Sequence, residues 1–236
     1  MSWLERTELL IGKDKLAKLQ TSNVLIVGLG GVGAYAAELL CRAGVGKMTI
    51  VDGDVIEATN RNRQLPALKS NEGKPKTEVL AERFMDINPA LELTTHFEFL
   101  NDERINEVLD SQSFDYVVDA IDTLSPKVFL VYSSIQKGYK VVSSMGAGGK
   151  TDPLQVQIAD ISKSYNCRLA RMLRKRLYKL GVKKGIKVIF SPEDIPKEAI
   201  RAEEGRNKKS VVGTISYMPP IFGCYIASVV IRDLLG

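Results

Sequence analysis

Val24-Leu25-Ile26-Val27-Gly28-Leu29-Gly30-Gly31-Val32-Gly33 decides the fold. A short apolar strand pattern runs into G-x-G-x-x-G, and a helical pattern fills 34–44. A second strand pattern, Lys47-Met48-Thr49-Ile50-Val51, then ends at Asp52, nineteen positions past the last glycine. In that order the parts make a dinucleotide-type βαβ unit. Gly28 permits the tight turn, and Gly30, with Gly31 beside it, lets a phosphate approach the backbone. Gly33 lets the helix lie close on the sheet with its N-terminal amides facing the anion. Asp52 is then placed to accept hydrogen bonds from a ribose. The alternative is an ordinary βαβ unit whose glycines only turn the chain, and the motif does not say which nucleotide binds.

Outward from this unit, strand and helix patterns alternate through 47–51, 76–87, 91–96, 102–109, 116–121, 126–137 and 140–144, which predicts a mostly parallel sheet with right-handed crossovers. After Pro153 the rhythm changes. Residues 155–161 alternate like a half-exposed antiparallel strand, 187–190 is another short strand, and 221–235 closes the chain. The expected class is α/β, a Rossmann-like sheet with helices on both faces and a C-terminal antiparallel extension. With 236 residues and 44% hydrophobic content, one domain over 1–236 is expected. It carries a helical arm at 1–20, anchored by Leu9, Leu10, Leu16 and Leu19, and a basic helical segment at 163–187.

The N-terminus lacks the basic-then-apolar order of a secretory signal. Cys41, Cys167 and Cys224 are far apart with no C-x-x-C, against a disulfide framework or a four-cysteine zinc site and in keeping with a reducing cytoplasm. The apolar run 221–231 is shorter than the roughly 20 residues of a membrane span, so a buried final helix is expected. The only histidine, His96, falls at a strand end and suits a loop bond better than catalysis.

Charge is uneven. Residues 1–150 carry 17 Lys and Arg against 20 Asp and Glu, whereas 151–236 carry 16 against 8. Ten of those cations and no acid fall in 163–187: Lys163, Arg168, Arg171, Arg174, Lys175, Arg176, Lys179, Lys183, Lys184 and Lys187. Leu169, Leu173, Leu177 and Leu180 repeat at helical spacing and would anchor this helix with its basic residues outward. A solvated face is the plain reading. A run of one sign repels itself unless it meets an anion, and with Lys197, Arg201, Arg206, Lys208 and Lys209 downstream it predicts contact with nucleic-acid phosphates.

The acid at the end of the second strand is followed by Asp54, then Asn60-Arg61-Asn62-Arg63-Gln64, then Lys76. A nicotinamide site needs little of this, whereas fixed cations and amides suit a polyphosphate. A solvated charged loop is the competing reading. An exposed lysine opening a helix opposes the dipole, a conflict that a bound phosphate removes. Asp122 ends Val117-Val118-Asp119-Ala120-Ile121-Asp122, at the carboxyl edge of the sheet. There a carboxylate holds magnesium through oxygen or caps the next helix.

Arg6, GLGGVG, Val51-Asp-Gly-Asp54, Asn60-x-x-Arg63-Gln64, Pro75-Lys76 and Asp119-Ala-Ile-Asp122 together resemble the adenylating superfamily of ubiquitin-activating enzymes and the ThiF, MoeB and HesA type adenylyltransferases. The resemblance implies ATP and magnesium as cofactors. It puts Asp52 on the ribose, Asn60, Arg63, Gln64 and Lys76 round the triphosphate, and Asp122 with magnesium. It also implies a homodimer in which Arg6, on its own merely a surface charge, reaches the γ-phosphate of the other subunit. The paired C-x-x-C motifs usual in the sulfur-carrier branch are absent, so activation without a thioester is expected and Cys167 reads as a helix-start residue.

Ser143-Ser-Met-Gly146-Ala-Gly148-Gly149-Lys-Thr-Asp152-Pro153 and Ile158-Ala-Asp160-Ile-Ser-Lys163 look like the transfer-RNA threonylcarbamoyladenosine dehydratases. In that branch the three glycines would admit a modified base; the plain reading is a turn. The implied activity is ATP-dependent cyclisation of N6-threonylcarbamoyladenosine beside the tRNA anticodon, through adenylation of its carboxylate. A sulfur-relay protein is an implied candidate partner. Activation of a ubiquitin-like sulfur carrier is the alternative.

Overall fold

The computed structural model describes residues 2–202 and 210–236, so Arg206, Lys208 and Lys209 lie outside the described residues. The chain opens with α1 (Glu5–Ile11) and α2 (Lys13–Thr21), then β1 (Asn23–Val27), α3 (Gly33–Arg42), β2 (Lys47–Val51), α4 (Lys76–Ile87) and β3 (Glu92–His96). It continues with α5 (Asp102–Asp110), β4 (Tyr116–Asp119), α6 (Leu124–Gln136), β5 (Lys140–Ser144), β6 (Gln157–Asp160), α7 (Arg168–Lys179) and β7 (Lys187–Phe190). A short antiparallel pair, β8 (Ile200–Ala202) with β9 (Ser210–Val212), precedes α8 (Met218–Leu235).

Seven strands form one sheet in the order β3-β2-β1-β4-β5-β7-β6, parallel except for β6, which runs antiparallel to β7. All five residues of β1 are buried because helices cover both faces, and such strands read as continuous apolar runs. Alternation splits it: Val24 and Ile26 join Leu40, Phe84 and Phe222 from α3, α4 and α8, whereas Leu25 and Val27 join Leu109, Leu130 and Leu173 from α5, α6 and α7. Register sets the functional edge. Val27 pairs with Val51 on one side and Asp119 on the other, and Asp119 pairs with Ser143. Gly28, Asp52 and Ala120 therefore leave the sheet side by side.

Three expectations change. The arm is two helices broken at Gly12, whose φ of 87° a side chain disfavours. Of the four leucines Leu16 and Leu19 anchor it, with Leu4 ahead of the first helix, while Leu9 and Leu10 stand 82% and 85% exposed. In the basic segment Leu173 and Leu177 are buried but Leu180, at the helix end, is exposed. α8 begins three residues before the apolar run and has 18 residues, with a mean hydropathy of 1.4. Among the described residues it alone is long and apolar enough to cross a membrane, but it packs on α3, burying Phe222, Ile226 and Val230.

Candidate active site

The turn after β1 is dictated by two glycines. Gly28 has φ 92°, and a Cβ there would lie 2.7 Å from the Ala120 carbonyl oxygen. At Gly33 a Cβ would lie 1.8 Å from the Gly28 carbonyl oxygen, so only glycine lets α3 begin this close to the strand. Around Gly30 the space is open except for the Gln64 amide, while Gly31 is walled by Pro219 at the start of α8 and by the Arg63 carbonyl.

Asp52 holds this turn and its neighbour. Its Oδ2 accepts the Leu29 amide at 2.6 Å and its Oδ1 the Asp54 amide at 2.8 Å. Each oxygen keeps a lone pair for a further donor such as a ribose hydroxyl. Burial pushes the Asp52 carboxyl above the usual carboxylate range, against the pull of Lys76 and the two amides.

A bridge between Val55 and Pro75 delivers Lys76 to the same spot. The lysine does open α4, as expected, but it is not exposed. Its side chain is 3% exposed, with Nζ 2.7 Å from Asp54 Oδ2 and 3.8 Å from Asp52 Oδ1. The two acids therefore meet the charge that the helix N-terminus disfavours.

The 60–64 segment is held by its own bonds. Asn60 is buried, and its Oδ1 accepts the Glu57 amide at 3.1 Å in a reciprocal cap. Arg63 Nη1 donates to the Thr59 carbonyl at 2.9 Å and to Asn62 Oδ1 at 2.7 Å. Gln64 Oε1 is buried with no partner among the described residues. A buried acceptor left bare costs about 1–3 kcal/mol. The other end of the amide, Nε2, faces Gly30, 3.9 Å from where a Cβ would lie, so it presents a donor to that open space.

Asp122 is exposed at the end of β4, one residue before Thr123, the N-cap of α6, whose side chain makes no cap bond. Among the described residues no three His, Cys, Asp or Glu gather as a metal cage. Magnesium suits such a place, since it binds through one or two carboxylates plus substrate phosphates. His96 lies with Nδ1 3.4 Å from Glu98 Oε1 beside its strand end, a loop contact.

Sequence reasoning missed Lys127 and Ser143. Both are buried against Asp119, and a lysine inside the apolar run of α6 was the one signal for it.

Arg6 is not brought here by its own chain. α1 docks through Leu4 on Gly44, beyond the end of α3 that lies away from Gly33, and ten helical residues span about 15 Å. Of the three later glycines only Gly146 is open. At Gly148 a Cβ would lie 3.1 Å from Thr214 Oγ1, and Gly149 has φ 71° with Ile195 Cγ2 2.5 Å from a Cβ. At those two positions packing and conformation themselves ask for glycine.

On α7, Arg168, Arg171, Lys175, Arg176 and Lys179 are exposed, as are Lys183 and Lys184 beyond it, with Lys183 Nζ 5.4 Å from the Tyr178 ring centre. Arg174 departs from this face. Its Nη1 donates to Ser164 O at 2.8 Å, Ser164 Oγ at 2.7 Å and Ile161 O at 3.2 Å, binding α7 to the preceding turn. Cys167 is the N-cap residue of α7 and its side chain makes no cap bond.

The tRNA threonylcarbamoyladenosine dehydratase of Bacillus subtilis is 41% identical over 238 residues, spanning 98% of this chain and 93% of that protein. The crystal structure of E. coli tRNA N6-threonylcarbamoyladenosine dehydratase, TcdA, in complex with ATP superposes with a TM-score of 0.88 at 33% identity, covering 97% and 92% of the two chains. Likeness to the adenylyltransferase and sulfurtransferase UBA4 of Saccharomyces cerevisiae is 30% and stops at 64% of this chain and 34% of that protein. The ThiF family profile matches residues 4–236, and the chain belongs to the ThiF family.

Proposed function

We propose that this chain is an ATP-dependent enzyme that cyclises N6-threonylcarbamoyladenosine next to the tRNA anticodon. One observation carries the choice of substrate: likeness to a dehydratase runs over 98% of the chain, whereas likeness to a sulfur-carrier enzyme stops at 64%. The absence of any C-x-x-C pair agrees with it.

The free carboxylate of the substrate attacks the α-phosphorus of ATP and pyrophosphate leaves. The carbamoyl group of the same side chain then attacks the acyl adenylate, the ring closes, and AMP leaves. The net change is loss of one water from the nucleoside. Ring closure within one molecule gains from proximity and needs no protein nucleophile.

Asp52 holds the ribose over the Gly28–Gly33 turn. Asn60, Arg63, Gln64 and Lys76 face the phosphates, with Lys76 exchanging Asp54 for a phosphate oxygen. Asp122 holds magnesium, which supplies charge neutralisation on the phosphates. Arg6 comes from a second copy. Support for this lies in its position at the far end of α3 and in exposed Leu9 and Leu10 on the same short helix, side chains that a partner would cover. The outward cations of α7 bind tRNA phosphates. The unit is one adenylating domain over 1–236, cytoplasmic, with a sulfur-relay protein as a further partner.

The test is to incubate the protein with ATP, magnesium and tRNA bearing the open nucleoside, digest mildly and weigh the product. A nucleoside lighter by one water, dependent on ATP, supports the reading. An unchanged mass, with pyrophosphate exchange stimulated by a ubiquitin-like protein, replaces it with the sulfur-carrier alternative.

A further inference from the structure

Lys127, Asp119 and Ser143 form a buried clasp that no step above uses. Lys127 Nζ lies 2.8 Å from Asp119 Oδ2, and neither side chain is exposed at all. Ser143 Oγ donates to the same Oδ2 at 2.5 Å. The position is a poor one for a lysine. It falls in the first turn of α6, where the helix dipole opposes a cation. Taking each ion out of water costs several kcal/mol, and apolar replacements of a buried pair are often as stable or more so. Folding alone does not ask for this pair.

The clasp acts on one residue. Lys127 Nζ also donates to the Ile121 carbonyl at 2.8 Å, and Asp119 Oδ1 accepts the Ile121 amide at 3.1 Å. Both backbone polar groups of Ile121 are therefore held, and its carbonyl belongs to the peptide that leads into Asp122. On the other side Ala120 rests on the glycine turn, its carbonyl close to Gly28 and its Cβ close to Gly33. Ser143 extends the tie to β5, the strand that leads to Gly146.

We propose that Lys127 is a positioning residue: with Asp119 and Ser143 it locks the Ile121–Asp122 peptide, so that the Asp122 carboxylate meets magnesium and the polyphosphate in one orientation. The proposal rests on the role given to Asp122 above. A ligand fixed before binding loses less freedom on binding, which is where the gain arises.

Lys127→Met alone strands a buried carboxylate and invites unfolding, so the informative variant is Lys127→Met with Asp119→Asn, which removes both charges at nearly constant volume. ATP affinity is measured by calorimetry in EDTA and in magnesium, beside Tm, for this variant, the wild type and Asp122→Asn. The expected result is a Tm within about 5 °C of wild type and ATP affinity in EDTA within about twofold. The magnesium-dependent gain in affinity falls by about tenfold or more, as in Asp122→Asn. A gain that persists in the double variant while Asp122→Asn loses it overturns the role of Lys127 alone. Tm and EDTA affinity collapsing together also overturn it, because the clasp then serves folding. A wild type indifferent to magnesium removes the metal from Asp122, and this proposal with it.

Discussion

Lys76 Nζ sits 2.7 Å from Asp54 Oδ2 and 3.8 Å from Asp52 Oδ1, so the cation assigned to the phosphates is already paired inside its own chain. Asp54 is half exposed and gains little from the pair. A phosphate oxygen can therefore take its place while Asp54 turns to water.

Removing Lys76 has two consequences. Lys76→Ala is expected to lower kcat/KM for adenylation about 10²–10³-fold, the scale of losing one fixed charge in such a site. It also leaves the largely buried Asp52 without its cation and costs about 1–3 kcal/mol in stability. Pyrophosphate exchange and a denaturant melt at pH 7 measure the two separately. Exchange at the wild-type rate would remove Lys76 from the chemistry.

Two glycines should behave oppositely. Gly33→Ala puts a Cβ 1.8 Å from the Gly28 carbonyl, so the turn must shift, ATP affinity is lost, and stability drops by about 1–3 kcal/mol. Gly146 has ordinary φ and nothing within 4 Å of a Cβ. Gly146→Ala should keep Tm and ATP affinity while raising KM for the modified tRNA. An unchanged KM would show that the open space there is not used by substrate.

Salt dependence separates the cations of α7. Arg171→Ala and Lys175→Ala should each weaken tRNA binding evenly across sequences and reduce the slope of log affinity against log salt by about 0.7–0.9. Arg174→Ala should leave the slope alone and lower Tm, because its guanidinium serves Ile161 and Ser164. Filter binding at several salt concentrations, beside thermal melts, checks both.

Acid should expose Asp233. Burial raises its carboxyl, but the Lys187 ammonium, the Tyr116 hydroxyl and the nearby Lys140 outweigh burial and hold it below the usual carboxylate range. A native value below the unfolded one means that the stability it contributes is present above about pH 4 and lost as pH falls through the native value. Asp233→Asn should thus lower Tm at pH 6 and converge on wild type near pH 3. A constant difference in Tm across that range would contradict the assignment.

Arg6 is tested by mixing. Arg6→Ala and Asp122→Ala chains are each expected to be inactive. Randomly reassociated, they should recover about a quarter of wild-type activity, because one site in each mixed twofold dimer then has both residues intact. If Arg6 served its own chain, no mixture would recover any.

The sheet was legible because β1, β2, β4 and β5 are short apolar runs set off by glycine, acid or helix signals, and their ends agree with the expected ones within two residues. The glycine turn and Asp52 were legible because spacing alone places them, whereas Asp54 was legible through the motif that carries the family resemblance. What was hidden depended on pairing across the chain. No local rule tells that Lys76 is buried against two acids, that Lys127 points inward while Arg174 abandons the basic face, or that β7 inserts between β5 and β6. Leu9 and Leu10 match a helix period as well as Leu16 does, yet α1 buries no residue of its own.

The wall that Pro219 builds against Gly31 gives synthesis an order. The loop assigned to the nucleotide is made from residues near the start of the chain, but its outer side is closed by the last helix. Folding during translation proceeds from the N-terminus. A nascent or prematurely released chain lacking residues 218–235 has the glycines and Lys76 without the surface that braces them. Such fragments should not capture ATP, so the capacity to activate a carboxylate arrives only when the molecule is whole.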